Sequence, residues 1–198
     1  MTFRRDHLAV APQILPIPFY ARQTLLVARD LLGKYLVREL PDGIRAGRVI
    51  EVEAYVGPHD LACHASKGRT KRTEVMFGMP GTAYVYLIYG MYHCLNVVTE
   101  RLDYPAAVLV RALEDETGLI DGPGRLCRAY KIDRTLNCHE LTTGQKLWLE
   151  DRGERIPKSR IATHPRINVD YAGEWAAKPW RFRIPTTGAA IRKKKTRV

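Results

Sequence analysis

The sequence predicts an α+β fold: a single domain around a curved, mainly antiparallel sheet, with a protruding β-hairpin and a few helices. Three observations point there. Short apolar runs alternate with turn signals such as Pro41-Asp42-Gly43 and Tyr89-Gly90, and strands joined by tight turns pair antiparallel. Few segments carry a helical period. No internal repeat and no linker rich in Gly, Ser or Pro divides the 198 residues, a length that suits one domain with a real core.

Residues 1–16, with Pro12 and Pro16 and no period, read as a flexible arm, and residues 17–185 as the folded domain. Leu25, Ala28, Leu31 and Leu32 recur at helical spacing, and Gly33 suits the residue that ends a helix. Lys34–Leu40 reads as a strand. Pro41-Asp42-Gly43 turns it into a second strand, Ile44 to about Tyr55. There Val49, Glu51 and Glu53 share one parity, and Ile50, Val52 and Ala54 the other. Gly57-Pro58 ends that strand. Residues 59–75, with the basic run Lys67-Gly68-Arg69-Thr70-Lys71-Arg72, read as a surface loop.

After Pro80-Gly81 comes Tyr84-Val85-Tyr86-Leu87-Ile88-Tyr89. Alternation puts Tyr84, Tyr86 and Ile88 on one face and Val85, Leu87 and Tyr89 on the other. Tyr89 sits at the turn, where a side chain can protrude. Met91 to Thr99 is the partner strand. Pro105–Leu113 is another, apolar except for Arg111. Gly122-Pro123-Gly124 gives a loose opening turn to a helix over Arg125–Ile132. Leu147–Leu149 and Ser159–Thr163 read as short strands, and Trp180–Ile184 as the last one. Residues 186–198 form a basic tail, expected to be flexible because of the like-charge run Arg192–Arg197.

Composition narrows the function. A hydrophobic content of 45% supports a globular fold. Lys and Arg number 32 against 21 Asp and Glu, a net charge of +11 that favours a polyanionic partner. Cys63, Cys94, Cys127 and Cys138 form no C-x-x-C pair, which argues against a zinc knuckle, a dithiol redox motif and a zinc deaminase. Free, buried thiols in a reducing cytoplasm are expected. No apolar run reaches membrane-spanning length. Neither a metal nor a cofactor is expected. In so basic a chain, tyrosines stacked along a strand and one more at its turn suit unpaired or extruded nucleobases.

Glu53 and Tyr55 share strand parity and can face one pocket. His64 opens the basic loop and can close over it. Asn96 lies on the strand that pairs with the tyrosine strand. Arg111 interrupts an apolar run, and a charge there needs a buried partner or a functional reason; Glu53 is the candidate partner. Each residue has an ordinary reading too. Glu51 and Glu53 alternate as carboxylates on a solvated face do. Tyr55 and Tyr86 are common strand residues, Tyr89 can cap the core edge, and Lys67–Arg72 can be a solvated loop.

The ordered series EAYVGPHDLACH, GRTKRTEVMF, PGTAYVYLIYGMYHCLNVV, AVLVRALE, GPGRL and YAGEWAAKPWRF closely resembles the alkylpurine DNA glycosylase family, the 3-methyladenine DNA glycosylases of the alkyladenine type. The likeness runs from about Phe19 to Phe182. It implies that Glu53 orients and deprotonates the attacking water, and that Arg111 helps to hold the water and the target nucleotide's phosphate. Tyr55 would stack on one face of the flipped base, with His64 and Tyr86 on the other side. Asn96 would reject guanine by clashing with its 2-amino group. Tyr89 would wedge into the minor groove and fill the space of the extruded nucleotide. The backbone carbonyl of Ile167 would touch the water. Arg69, Lys71 and Arg72 are expected on backbone phosphates.

The function so implied is base excision repair: hydrolytic removal of alkylated or deaminated purines of the 3-methyladenine, 7-methylguanine, hypoxanthine and ethenoadenine class from duplex DNA, leaving an abasic site. No residue nominates itself as a Schiff-base amine, so a monofunctional hydrolase without lyase activity is expected. An electron-rich aromatic slot would favour cationic bases by about 1–2 kcal/mol. The protein is expected to act as a monomer in the cytoplasm at the bacterial nucleoid, or in the nucleus of a eukaryote. The alternative is a non-catalytic binder of damaged DNA or single strands on the same scaffold. A pure binder has no need to bury Glu53 with Arg111.

Overall fold

The computed structural model describes residues 11–187. Its strands are β1 (Gln13–Ile14), β2 (Tyr35–Leu40), β3 (Gly43–Tyr55), β4 (Ala83–Ile88), β5 (Tyr92–Val98), β6 (Ala107–Asp115), β7 (Gly118–Asp121), β8 (Leu147–Asp151), β9 (Ala162–His164) and β10 (Arg181–Arg183). All pair antiparallel in one sheet of order β1-β8-β2-β3-β6-β5-β4. β10 adds to β3 and β9, and β7 adds to β6. The sheet is curled. The helices α1 (Ile17–Tyr20), α2 (Thr24–Leu31) and α3 (Pro123–Ala129) are short. Among the described residues no helix is long and apolar enough to cross a membrane.

One large core cluster joins Val27, Ala28 and Leu31 of α2 to Val52 and Ala54 of β3, Val110 and Ala112 of β6, and Leu126 of α3. The predicted α2 and its stop are present. Gly33 takes φ +82°, a left-handed value that costs glycine nothing, and its N–H bonds to the Val49 carbonyl at 2.8 Å.

Several expectations need correcting. Residues 13–14, expected within a flexible arm, pair with β8, and Leu15 is buried; the sheet edge supplies partners that the local sequence does not announce. Residues 1–10 and the tail beyond residue 187 lie outside the described residues. Helix α3 begins at Pro123 rather than Arg125 and ends at Ala129. Proline suits a first helical turn because its missing N–H would have no partner there. The sequence reading missed β7. The strand expected over Ser159–Thr163 is a 3-10 turn at Lys158–Arg160 followed by β9.

The segment 59–75 is also more than a surface loop. It contains 3-10 turns at His64–Lys67 and Glu74–Phe77, and Asp60, Ala62, Cys63, Ala65 and Thr73 are buried. Its basic stretch is tied by the Thr73 hydroxyl, which accepts from the Thr70 N–H at 2.8 Å and donates to the Gly68 carbonyl at 3.0 Å. Of the cysteines, Cys63, Cys94 and Cys127 are buried free thiols as expected, whereas Cys138 is exposed.

The β3–β6 ladder is irregular where the site begins. Val49 pairs with Leu113, Glu51 with Ala112 and Val52 with Val110, so the register shifts twice and Ile50 and Arg111 each fall out of step. A bulge bends a strand and re-aims its side chains. Val49 accordingly packs in the core with Ile50, Val52 and Ala54, not beside Glu51 as strict alternation predicts.

Candidate active site

Beyond that bulge, Glu53 and Tyr55 keep one parity, and Arg111 is brought across from β6. The solvated-face reading of the two acids is wrong: Glu51 is 1% and Glu53 0% exposed. Burying two carboxylates is tolerable only with donors at hand, and they are present. The Tyr55 hydroxyl donates to Glu53 Oε2 at 2.8 Å. The Ile167 N–H donates to Glu53 Oε1 at 2.9 Å, and Arg111 Nη1 lies 3.2 Å from the same oxygen. Glu51 accepts from Arg181 Nη1 at 2.9 Å and Arg183 Nη1 at 2.7 Å, and forms an ion pair, without a hydrogen bond, with Arg111 Nε at 3.4 Å. The guanidinium of Arg111 thus stands between the two carboxylates.

Burial is the largest influence on Glu53 and lifts its carboxyl above the ordinary carboxylate range, while Arg111, the Ile167 N–H, the Tyr55 hydroxyl and Arg166 pull the other way. An upward shift is the direction that suits a general base.

Glu53 borders a cavity of about 300 Å³, a size at the small end of ligand sites. Tyr55, His64, Tyr86, Asn96 and Arg111 line it, and so do Tyr89 and Ile167. The sequence-predicted catalytic, base-pocket and wedge residues therefore meet at one place. His64 and Tyr86 stand edge-on with ring centroids 4.7 Å apart and 71° between planes, too close for anything to enter between them, so they make one wall. The His64 Nδ1 and Tyr84 hydroxyl are hydrogen-bonded at 3.0 Å. Burial, aided by the charge of Arg72, pushes the His64 imidazole down to about 4, so it is neutral at pH 7. Asn96 is buried and fixed by its Nδ2, which donates to the Tyr84 carbonyl at 3.3 Å.

One placement differs from the sequence expectation. Alternation assigns Tyr89 to the face opposite Tyr84 and Tyr86, yet it lines the same cavity, 69% exposed. Tyr89 and Gly90 both have positive φ, +54° and +68°, as in a primed hairpin turn, and the left-handed backbone ends the alternation. At Ile167, which also lines the cavity, the amide N–H donates to Glu53.

The three basic-loop residues do not line the cavity. Arg69 pairs with Glu74 at 3.2 Å and Asp103 at 2.9 Å and lies over the Phe77 ring. Lys71 and Arg72 border a neighbouring groove with Arg134 and Asn137.

Sequence reasoning missed Asp60 and Arg166. Both side chains are fully buried and paired, with Arg166 Nη2 2.8 Å from Asp60 Oδ1. Arg166 also donates to the Ala54 carbonyl at 2.9 Å and lies over the Tyr55 ring. The pair ties the 59–75 segment to the end of β3 and holds the chain just before Ile167. The one signal in the sequence was an acid, Asp60, beside the apolar run Leu61-Ala62-Cys63.

Known proteins have similar sequences. The family model for methylpurine-DNA glycosylase matches residues 18–187. A Methanocella arvoryzae protein is 54% identical, with 85% of this chain and 91% of the relative covered. A Myxococcus xanthus protein is 56% identical, covering 85% and 88%. A Legionella pneumophila protein is 54% identical, covering 86% and 93%. All three are assigned as 3-methyladenine DNA glycosylases.

Proposed function

The chain belongs to the methylpurine-DNA glycosylase family, which makes it a DNA-repair glycosylase, and we propose that it extrudes alkylated or deaminated purines from duplex DNA and hydrolyses their glycosidic bond with Glu53 as the base. The observation that carries this reading is the buried Glu53 carboxylate, held by Arg111, Tyr55 and the Ile167 N–H at the edge of an aromatic cavity sized for a single base.

The flipped purine would lie between Tyr55 and the wall formed by His64 and Tyr86. A purine alkylated at N3 or N7 is already positively charged and leaves with little acid help. One carboxylate then serves twice. It stabilises the sugar cation as the C1′–N bond loosens, and it accepts a proton from the attacking water. Glycosidases acting on poorer leaving groups use two carboxyl groups instead. Hypoxanthine and ethenoadenine are neutral and need protonation of the purine, for which solvent suffices. Arg111 would steady the water and the target phosphate. Asn96 would clash with the 2-amino group of guanine and so spare the unmodified base, a poor leaving group; 7-methylguanine meets the same clash but leaves readily as a cation. Tyr89, on its hairpin tip, would fill the gap left in the stack, as side chains of base-flipping proteins do.

No lysine lines the cavity among the described residues, which supports simple hydrolysis over a Schiff-base lyase reaction. The site is complete within one chain, which supports action as a monomer. Incubation with duplexes bearing 3-methyladenine, 7-methylguanine, hypoxanthine or ethenoadenine tests the reading. Free purine is expected, with strand breakage only after hot alkali. Breakage without alkali contradicts the monofunctional assignment, and tight binding without base release supports the binding-protein alternative instead.

A further inference from the structure

Both tyrosine walls of the cavity carry a guanidinium outside it. Arg72 Cζ lies 5.1 Å from the Tyr86 ring centroid, and Arg166 Cζ lies 4.8 Å from that of Tyr55. The two tyrosines line the cavity and neither arginine does. Arg72 opens on the neighbouring groove with Lys71 and Arg134, while Arg166 is enclosed between Tyr55 and Trp180. Their compensation differs. Asp60 neutralises Arg166. The acids nearest the basic loop, Glu74 and Asp103, pair with Arg69 instead, and Arg72 has no ion-pair partner among the described residues.

A cation is drawn to a tyrosine ring by the negative charge of its face. A ring that already faces one guanidinium is a poorer partner for a second cation, and the like charges repel through a medium that screens less than water. A neutral base loses little by comparison. The attraction expected from the sequence, favouring cationic purines, is therefore opposed from behind both rings.

We propose that Arg72, seconded by Arg166, makes the slot discriminate by charge: it weakens the stacking of a cationic purine, leaves that of a neutral purine unchanged, and releases the penalty as the glycosidic bond breaks. The inference rests on reading the cavity as a purine-excision site. When the C1′–N bond breaks, its electron pair goes to the purine. A cationic purine becomes neutral, and the positive charge passes to the sugar beside Glu53. Water then bonds to C1′, and its proton goes to the Glu53 carboxylate. The repulsion from Arg72 thus acts on the bound substrate and fades in the transition state, which raises the rate of the step. A neutral purine must gain a proton to leave, so the same charge slows its departure.

Arg72 is exposed, so Arg72→Gln should fold. In a Glu53→Gln background, which keeps the base attached, affinity is measured for duplexes bearing 3-methyladenine or its neutral isostere 3-deaza-3-methyladenine. Arg72→Gln should raise the cationic-to-neutral affinity ratio about three- to tenfold, the span of a partly desolvated cation–π contact, and Arg72→Lys should restore most of the wild-type ratio. With Glu53 intact, the saturating single-turnover rate on 3-methyladenine should fall and that on hypoxanthine should rise. If both affinities drop by one factor and the rates stay put, Arg72 is only a phosphate contact and the inference is overturned. If the wild type releases neither base, the excision reading itself fails and takes the inference with it, a result distinct from an unmoved ratio in an active enzyme.

Discussion

Burial opposes the charge on Glu53, and three donors oppose burial. Burial prevails, since the carboxyl is lifted above its ordinary range. The folded state therefore binds this proton more tightly than the unfolded chain, where the pKa is about 4.3. Stability from this group is full below the unfolded pKa and is lost as pH rises through the folded one. That loss towards pH 7 is a penalty a neutral amide does not carry, and Arg111 keeps Glu51 as its partner. Glu53→Gln should melt at a higher temperature than wild type at pH 7, with the advantage shrinking towards pH 4. A lower melting temperature at pH 7 would contradict a burial-dominated site. At this scale the sequence was legible where local rules applied: the parity of Glu53 and Tyr55, and the odd charge of Arg111 in an apolar strand. Asp60 and Arg166 were not, because two charges 106 residues apart meet only through the fold.

The elements that position the site depart from regular geometry. The bulge between β3 and β6 sends Val49 into the core and Arg111 towards Glu51 and Glu53. The β4–β5 hairpin ends in a turn where Tyr89 sits at φ +54°, a conformation that costs a side chain roughly 1–2 kcal/mol. Such strain persists where a function needs it. Tyr89→Gly should therefore gain about 1 kcal/mol in denaturant unfolding while losing excision, most of all on well-paired lesions that resist extrusion. An equal loss on an already mispaired lesion would contradict the wedge role. The strands themselves were readable from alternation and turn residues. The bulge and the cavity-facing Tyr89 were not, because each breaks the alternation from which strands are read.

For the whole molecule, the charge of +11 is spread unevenly in its freedom to act. Arg69 is half-committed to Glu74 and Asp103, whereas Lys71 and Arg72 face an open basic groove. Binding to undamaged duplex should weaken steeply with salt. Each phosphate that the protein neutralises adds about 0.9 to the steepness of log affinity against log salt. Lys71→Ala should reduce that steepness by nearly the full amount and Arg69→Ala by distinctly less; equal reductions would show that the Arg69 ion pairs dissolve on binding. The fold class was legible from hairpins and turn signals, since antiparallel pairing of neighbours follows from short connections. The outermost pairing of β1 with β8 was not, because it joins distant segments of the chain.

Hydrolysis at one buried carboxylate is the claim on which the rest stands, and single-turnover excision of 3-methyladenine by wild type and Glu53→Gln tests it most directly. This substrate needs no proton on its purine, so only the water-activating group is in question. The wild type should release the base completely, and the variant should bind the lesion duplex as tightly yet release the base about 10²- to 10⁴-fold more slowly. Equal rates would leave the site without its base and contradict the account.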